Sequence, residues 1–319
     1  MIAVKIWQFI DTFNSKATAN RSSRLLVTVF KVLFLSVIGF TIIYPFIIKL
    51  TSMFMSEQDL MDSTVKMIPK HPTLDNLKFV VDYTKYFSTL FNTTLISLIS
   101  SLCSVVCSCM VGWGLARYRF KGSKIIFAIV IFIMILPPQT IMLSLFNTFR
   151  DFDIFGIFTL LLGKPIRMID TLWPTTLLSL TGLIFRGGLF IFIMRQFYTS
   201  IPKELVEAAK IDGCGHFTTF MRVIIPLSTA MIITIFLFSF AWMWSDTTYS
   251  SLFYSNLKVF ANQVTTVSWV ESEGIMYNTR MASILLNTSV LLSMVPLLLI
   301  YVCLQRYFVE GIAKSGIVG

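Results

Sequence analysis

Three groups of residues in this sequence have types and spacings that could do chemistry. Arg186 stands in the middle of an apolar run, in Phe185-Arg186-Gly187-Gly188. A charge at mid-bilayer costs roughly 2.5–3.5 kcal/mol on insertion scales, so it faces protein or water rather than lipid. It could meet a solute or a partner subunit, close an ion pair, or cap carbonyls at a glycine-rich break. Trp242, Trp244 and Asp246 form an aromatic-acidic cluster at the end of a second apolar run. Trp is favoured at a membrane interface; the alternative is an indole stacked on a sugar face. The third group is polar: Glu207-Ala208-Ala209, Asp212-Gly213 and Val223-Ile224-Ile225-Pro226. A polar segment of this kind, kept on one side between two apolar spans, reads as a docking element, with an ordinary interfacial loop as the bland alternative. Ser200-Ile201-Pro202-Lys203-Glu204 predicts its helix start, with Ser200 as cap, Pro202 in the first turn and Glu204 at capping-box-like distance. Asp212-Gly213 ends that helix, since glycine accepts the left-handed conformation a terminus often needs.

The elements that must position these groups are membrane helices. Of 319 residues, 55% are hydrophobic and 13% charged, and the mean hydropathy is +0.78. Soluble domains carry about 25% charged residues, so the chain has too few charges to cover a soluble surface of its size. The expected fold is all-α and integral to the membrane. Six apolar stretches are long enough to cross: 27–49, 90–114, 124–147, 172–195, 227–248 and 283–304. Residues 1–26 form an N-terminal arm, 27–319 a single transmembrane domain, and 196–226 a helix-turn-helix loop between the fourth and fifth spans. The formal net charge is +10, from 26 Lys and Arg against 16 Asp and Glu. The excess clusters beside the spans: Lys5, Lys16, Arg21 and Arg24; Arg117, Arg119, Lys121 and Lys124; Arg195, Lys203, Lys210 and Arg222; Arg306 and Lys314. That pattern is topology control rather than nucleic-acid binding, and it puts both termini and the 196–226 loop in the cytoplasm. The opposite loops, 50–89, 148–171 and 249–282, mix both signs, and the first span reads as retained rather than as a cleaved signal.

Within the spans, Ser100, Ser104, Ser108, Gly112 and Ala116 recur every four residues, a face on which two helices approach closely; a conducting polar stripe is the alternative. Pro137-Pro138 should kink or break the third span, with milder effects from Pro45 and Pro296. Cys103, Cys107 and Cys109 are spaced as a metal or redox group might be, but with no His among them they read as small packing residues. Only His71 and His216 exist. No Gly-x-x-x-x-Gly-Lys-[Ser/Thr] occurs, since Gly163-Lys164 is followed by Pro165, so the chain has no P-loop. Gly-x-Ser-x-Gly, His-Glu-x-x-His and paired carboxylates are absent as well. An intramembrane enzyme is thereby disfavoured. An ion- or proton-coupled secondary carrier is disfavoured because such carriers use an intramembrane acid or His.

The spacing from Glu207-Ala208-Ala209 through Gly213 to Ile225-Pro226 resembles the signature loop of ATP-binding-cassette importer permeases. Further stretches resemble the carbohydrate-uptake, maltose-system-like branch: Gly114-Leu115-Ala116-Arg117-Tyr118-Arg119-Phe120-Lys121-Gly122, Leu136-Pro137-Pro138-Gln139, Met194-Arg195-Gln196-Phe197, Pro72-Thr73-Leu74-Asp75-Asn76-Leu77, and Gln305-Arg306-Tyr307-Phe308-Val309 with Gly311-Ile312. Cys214 stands where members often carry a small residue such as Ala, and Gly163 to Asp170 is unusually basic. The resemblance implies a permease subunit in a bacterial plasma (inner) membrane, working by alternating access. Implied partners are a second related permease, two ATPase subunits, an extracellular solute-binding protein, a sugar-like solute and membrane lipid, with no nucleic acid. It implies no cofactor in this chain; ATP and Mg belong to the ATPase. It assigns ATPase coupling to Glu207, Ala208, Ala209, Asp212, Gly213, Ile225 and Pro226. Arg186, Trp242, Trp244 and Asp246 are the candidate translocation path, none of them carried over from a family motif.

Overall fold

The computed structural model describes residues 21–62, 64–118, 120–184, 186–267 and 279–316. Most of the N-terminal arm, Arg119 of the basic turn, Phe185 beside Arg186 and part of the 249–282 loop lie outside the described residues, as do the side chains of the C-terminal tail. Among the described residues regular structure is helical, and the one extended pairing is an antiparallel bridge between Phe152 and Ile166. The chain divides into two compact units, Met1–Asn76 and Leu77–Gly319.

In the first unit, α1 (Arg21–Ser52) carries exposed apolar side chains on every face, Leu26, Phe30, Leu35 and Phe40 among them. A helix that is apolar all round suits lipid. It runs through Pro45 without interruption. The short α2 (Glu57–Met61) is capped by Ser56, whose Oγ accepts from Asp59 N at 3.2 Å. Buried Asp59 in turn accepts from His71 N at 3.0 Å. Asn76 Nδ2 donates to the carbonyls of Met53 and Met55, at 3.1 and 2.8 Å. The boundary between the units falls within α3 (Asp75–Tyr83).

The second unit is built around α4 (Tyr86–Arg117). Ser100, Ser104, Ser108 and Gly112 are all buried. A Cβ on Gly112 would sit 2.9 Å from Met194 Cβ, so small side chains set how closely the helices approach. The packing-face expectation for this stripe is what the structure has. α5 (Ser123–Ile135) stops where Leu136 turns extended ahead of Pro137, because a residue before proline is pushed out of the helical region. A 3₁₀ turn at Pro138–Thr140 leads into α6 (Met142–Arg150), so the expected 124–147 span is two helices. α7 (Ile157–Leu162) follows. The expected 172–195 span is likewise divided, into α8 (Trp173–Leu180) and α9 (Gly187–Ser200).

Next come α10 (Lys203–Ile211), α11 (His216–Thr219), a π turn at Phe220–Ile224, α12 (Ile225–Leu227) and α13 (Thr229–Ser245). The unit ends with α14 (Thr248–Phe253), α15 (Phe260–Val267) and α16 (Thr279–Gly316), the last continuing through Pro296. Among the described residues, α1, α4 and α16 are long and apolar enough to cross a membrane alone, and the pair His216–Leu227 and Thr229–Ser245 qualifies jointly with a 77° bend. The unit has two principal cores. One gathers Ile96, Phe149, Leu178, Tyr249 and Phe253; the other gathers Trp113, Phe190, Tyr198, Phe220 and Ile224.

Candidate functional site

The polar segment is a short amphipathic helix held down by one buried edge. Ala209 and Ile224 are buried, while Glu207, Ala208 and Asp212 are exposed. Its start differs from the sequence expectation. Ser200 is the last residue of α9, and its Oγ donates to Phe197 O at 2.7 Å instead of capping α10. Pro202 occupies the cap position and no side chain caps the helix. A hydroxyl inside a helix end satisfies the previous turn's carbonyl, which removes it from capping duty. The helix end is as expected. Gly213, at φ +80°, donates to Lys210 O at 3.0 Å, and Cys214 N donates to Ala209 O at 2.9 Å. Those paired backbone bonds satisfy carbonyls the helix terminus leaves open.

Beyond the turn, Pro226 supplies no N–H, and the chain passes through the π turn, in which Ile225 N–H bonds Phe220 O. Ser228 ends α12 by donating through N and Oγ to Ile224 O, at 3.0 and 2.6 Å. The far end of α4 grips this segment. The Arg117 guanidinium donates to Ile201 O and lies 5.4 Å from the Trp113 ring centroid. Trp113 packs on Tyr198 and Phe220, at 5.5 and 5.9 Å, and Tyr118 on His216 at 5.5 Å. Sequence reading missed these aromatic contacts, because a Trp inside an apolar run carries no signal of its partner. On the outer surface, Ile211 and Phe217 are 87% and 68% exposed, large apolar groups beside Glu207 and Lys210.

The second constellation lies at the break between α8 and α9. The backbone turns back on itself here: Leu183 N and Ile184 N both donate to Leu178 O at 2.9 Å, and Gly187 N donates to Ile184 O at 2.8 Å. A Cβ on Gly187 would overlap the carbonyl of Gly182, and one on Gly188 would sit 2.6 Å from Val130 O. Arg186 takes a left-handed conformation, φ +66°, just ahead of α9. A non-glycine residue there costs on the order of 1–3 kcal/mol and is kept only where its surroundings over-determine it. Its guanidinium carbon lies 4.1 Å from the Trp242 ring centroid, a cation–π contact.

Trp242 is also flanked by Phe190 at 5.4 Å and Phe238 at 5.5 Å, both stacked. It borders a cavity whose lining includes Ser179, Ser239, Met243, Asp246 and Tyr249. Asp246 Oδ2 accepts from Tyr249 N at 2.8 Å and Ser250 N at 3.3 Å, starting α14. Arg186, Trp242 and Asp246 are therefore brought together. Trp244 is not with them. It is buried on the other side of α13 between Phe240 and Phe260, and its Nε1 donates to Ser293 O at 2.9 Å. Both indoles pack on protein side chains.

Asp170 (φ +63°) ties two loops next to α14. Its Oδ1 accepts from Asn256 N at 2.7 Å, its Oδ2 from Asn256 Nδ2 at 2.9 Å, and its own N donates to Phe253 O at 2.8 Å. Partial burial pushes the carboxyl up, but the Asn256 and Leu257 donors outweigh it and hold Asp170 below the ordinary carboxylate value. Among the described residues, no group of three His, Cys, Asp or Glu could hold a metal ion.

Residues 104–314 match the family described as binding-protein-dependent transport system inner membrane component. The chain belongs to that family. This transport component is similar along nearly its whole length to named permeases. It is 26% identical to the arabinooligosaccharides transport system permease protein AraQ of Halalkalibacterium halodurans, covering 88% of this chain and 93% of the relative. It is 27% identical to the galactooligosaccharides transport system permease protein GanQ of Bacillus subtilis, covering 93% and 97%. It is 28% identical to the melibiose/raffinose/stachyose import permease protein MelC of Bacillus subtilis, covering 86% and 91%. Its fold matches one chain of the crystal structure of a bacterial ABC transporter involved in the import of the acidic polysaccharide alginate, with TM-score 0.71, 17% identity, and 91% and 98% coverage. The inner membrane component is thus a transport subunit, and the ion-coupled carrier reading is not favoured.

Proposed function

We propose that this inner membrane component is a sugar-importing permease subunit that works by alternating access. It pairs with a second, related permease, two ATPase subunits that bind ATP and Mg, and an extracellular solute-binding protein; it contacts lipid and no nucleic acid. In this reading residues 27–319 form one domain of six spans, with α5–α6 and α8–α9 each making one broken span. Both termini and the 1–26 arm are cytoplasmic, and 196–226 is the coupling loop. Glu207 and the exposed Ile211 and Phe217 meet the ATPase surface. Ala208, Ala209, Asp212 and Gly213 shape the helix and turn behind them, and Ile225 and Pro226 pass the motion toward α13. Arg186, Trp242 and Asp246 belong to the solute path; Trp244 serves it only by packing.

The observation that carries this reading is the exposed, apolar-tipped surface of 203–226, anchored from beneath by Arg117 and Trp113. A rigid element docked on one side and packed on the other transmits a push. The test is a pull-down of the solubilised assembly with a co-expressed ATPase subunit, together with ATP-driven uptake of galactotriose, arabinotriose and raffinose into proteoliposomes. Wild type should retain the ATPase and take up at least one sugar. Glu207→Lys should lose the ATPase while keeping the second permease. Undiminished ATPase recovery with Glu207→Lys would refute the coupling role.

A further inference from the structure

The cavity beside the α8–α9 break has a buried hydroxyl that the helical fold leaves unused. Ser179 is fully buried, and its hydroxyl has no hydrogen-bond partner among the described residues. Neighbouring hydroxyls are spent differently: Thr181 Oγ1 donates to Leu177 O at 2.8 Å, Ser245 Oγ to Ala241 O at 2.9 Å, and Thr175 pairs with Tyr254 at 2.8 Å. A buried hydroxyl left without a partner is costly, so a group standing idle at a cavity wall points to something that enters. Ser239, 6% exposed, faces the same cavity from α13. Asp246 borders it too, with its Oδ2 accepting from Tyr249 N and Ser250 N. The space measures about 20 Å³, room for one water-sized group. In the six-span reading it lies at an interrupted span, and irregular backbone within a membrane is tolerated where it lines a cavity or is buried in protein.

We propose that this cavity is a hydroxyl-reading subsite on the solute path, and that it selects neutral polyhydroxylated solutes over acidic ones. The proposal rests on the permease reading above. Ser179 and Ser239 donate to one solute hydroxyl, Asp246 accepts that hydroxyl's proton, and Arg186, held against Trp242, donates to a neighbouring oxygen. The carboxylate of Asp246 repels an acidic sugar at the point where a neutral one is gripped. A site built to bond a hydroxyl rejects an analogue that lacks it far more strongly than an apolar pocket rejects a missing methylene.

The test uses the complete reconstituted transporter and the same three oligosaccharides, each alongside its monodeoxy analogues and a uronate form. Ser179→Ala should raise KM for the transported sugar about tenfold and leave KM for one particular deoxy analogue unchanged. Asp246→Asn keeps the cap of α14, because Asn caps as well as Asp, and should relax the exclusion of the uronate. Ser239→Ala should repeat the Ser179→Ala pattern more weakly. A purely structural role would lower transport of all analogues together. If wild type takes up none of the neutral sugars, the import reading fails and this subsite with it. If wild type transports them and the variants discriminate as wild type does, the subsite alone is wrong.

Discussion

Two of the glycine-marked turns between helices of the second unit are built in opposite ways. Gly213 turns the polar segment in open space: nothing lies within 4 Å of where its Cβ would be, and only its positive φ calls for glycine. Gly187 has an ordinary φ and no room at all, because the carbonyl of Gly182 occupies the position of its Cβ. Gly182 carries both constraints, with φ +73° and Ile191 Cδ1 2.8 Å from its would-be Cβ. The first turn is a local device on a surface that another molecule can reach. The second is a tertiary device, and the left-handed Arg186 beside it is held by what packs around it. A turn closed by its own backbone bonds can be altered without unfolding its surroundings; one closed by its neighbours cannot.

The widest separation between the two should come from putting valine at each glycine. Gly187→Val forces backbone apart in a packed interior, and overpacking of this kind costs about 3 kcal/mol. The variant should lose membrane yield and lower the melting temperature of the detergent-solubilised assembly. Gly213→Val meets only the left-handed penalty of about 1–2 kcal/mol. It should melt near wild type yet lose the ATPase in a pull-down. Near-identical melting of the two variants would abolish the distinction drawn here.

A finer separation lies within α13. Trp242 borders the cavity and Trp244 is bonded to Ser293 on the opposite side. Trp244→Phe removes the indole donor to Ser293 O, a loss of about 1 kcal/mol. It should shift the melting curve slightly and leave KM for the transported sugar unaltered. Trp242→Phe should raise that KM, since Arg186 loses its best π partner. A raised KM in the Trp244 variant would put both indoles on the path.

This contrast also explains what could be read from the sequence. Membrane class, the long helices α1, α4 and α16, and the Asp212-Gly213 helix stop are local matters of hydropathy and turn chemistry, and they are legible. The stop of α5 at Pro137 is legible for the same reason. The α8–α9 break is not: the 172–195 run is apolar enough to pass as one span, and the interruption is marked only by Gly182 and the Gly187-Gly188 pair. Ser200 shows the opposite error. Its type and spacing suit a cap, but α9 continues through it and the hydroxyl turns back to Phe197 O. Ser179 gives no sign of itself, since one serine in an apolar run looks like another until its unspent hydroxyl is seen at a cavity wall. Residue type tells which group is present; only packing tells which group is left over.

The smallest expected effect uses acid to tell the two kinds of closure apart. The polar turn is closed by backbone donors, Gly213 N to Lys210 O and Cys214 N to Ala209 O, and no titrating group takes part in those bonds. The loops at 170 and 256 are closed by a carboxylate, because Asn256 and Leu257 donate to Asp170. Asp170 is held below its ordinary carboxylate value by these donors. A carboxyl depressed in the folded state adds stability that is complete above its unfolded value and is lost as pH falls through the folded one. Between pH 5 and roughly pH 3, hydrogen exchange at the Asn256 and Leu257 amides, corrected for the intrinsic rate, should therefore speed up about severalfold, while exchange at Gly213 and Cys214 holds steady. Asp170→Asn should remove the pH dependence at Asn256, since an amide keeps the acceptor and loses the titration. Parallel acceleration at all four amides would mean that acid loosens the second unit as a whole, and that Asp170 closes its loops no differently from the way Gly213 closes its turn.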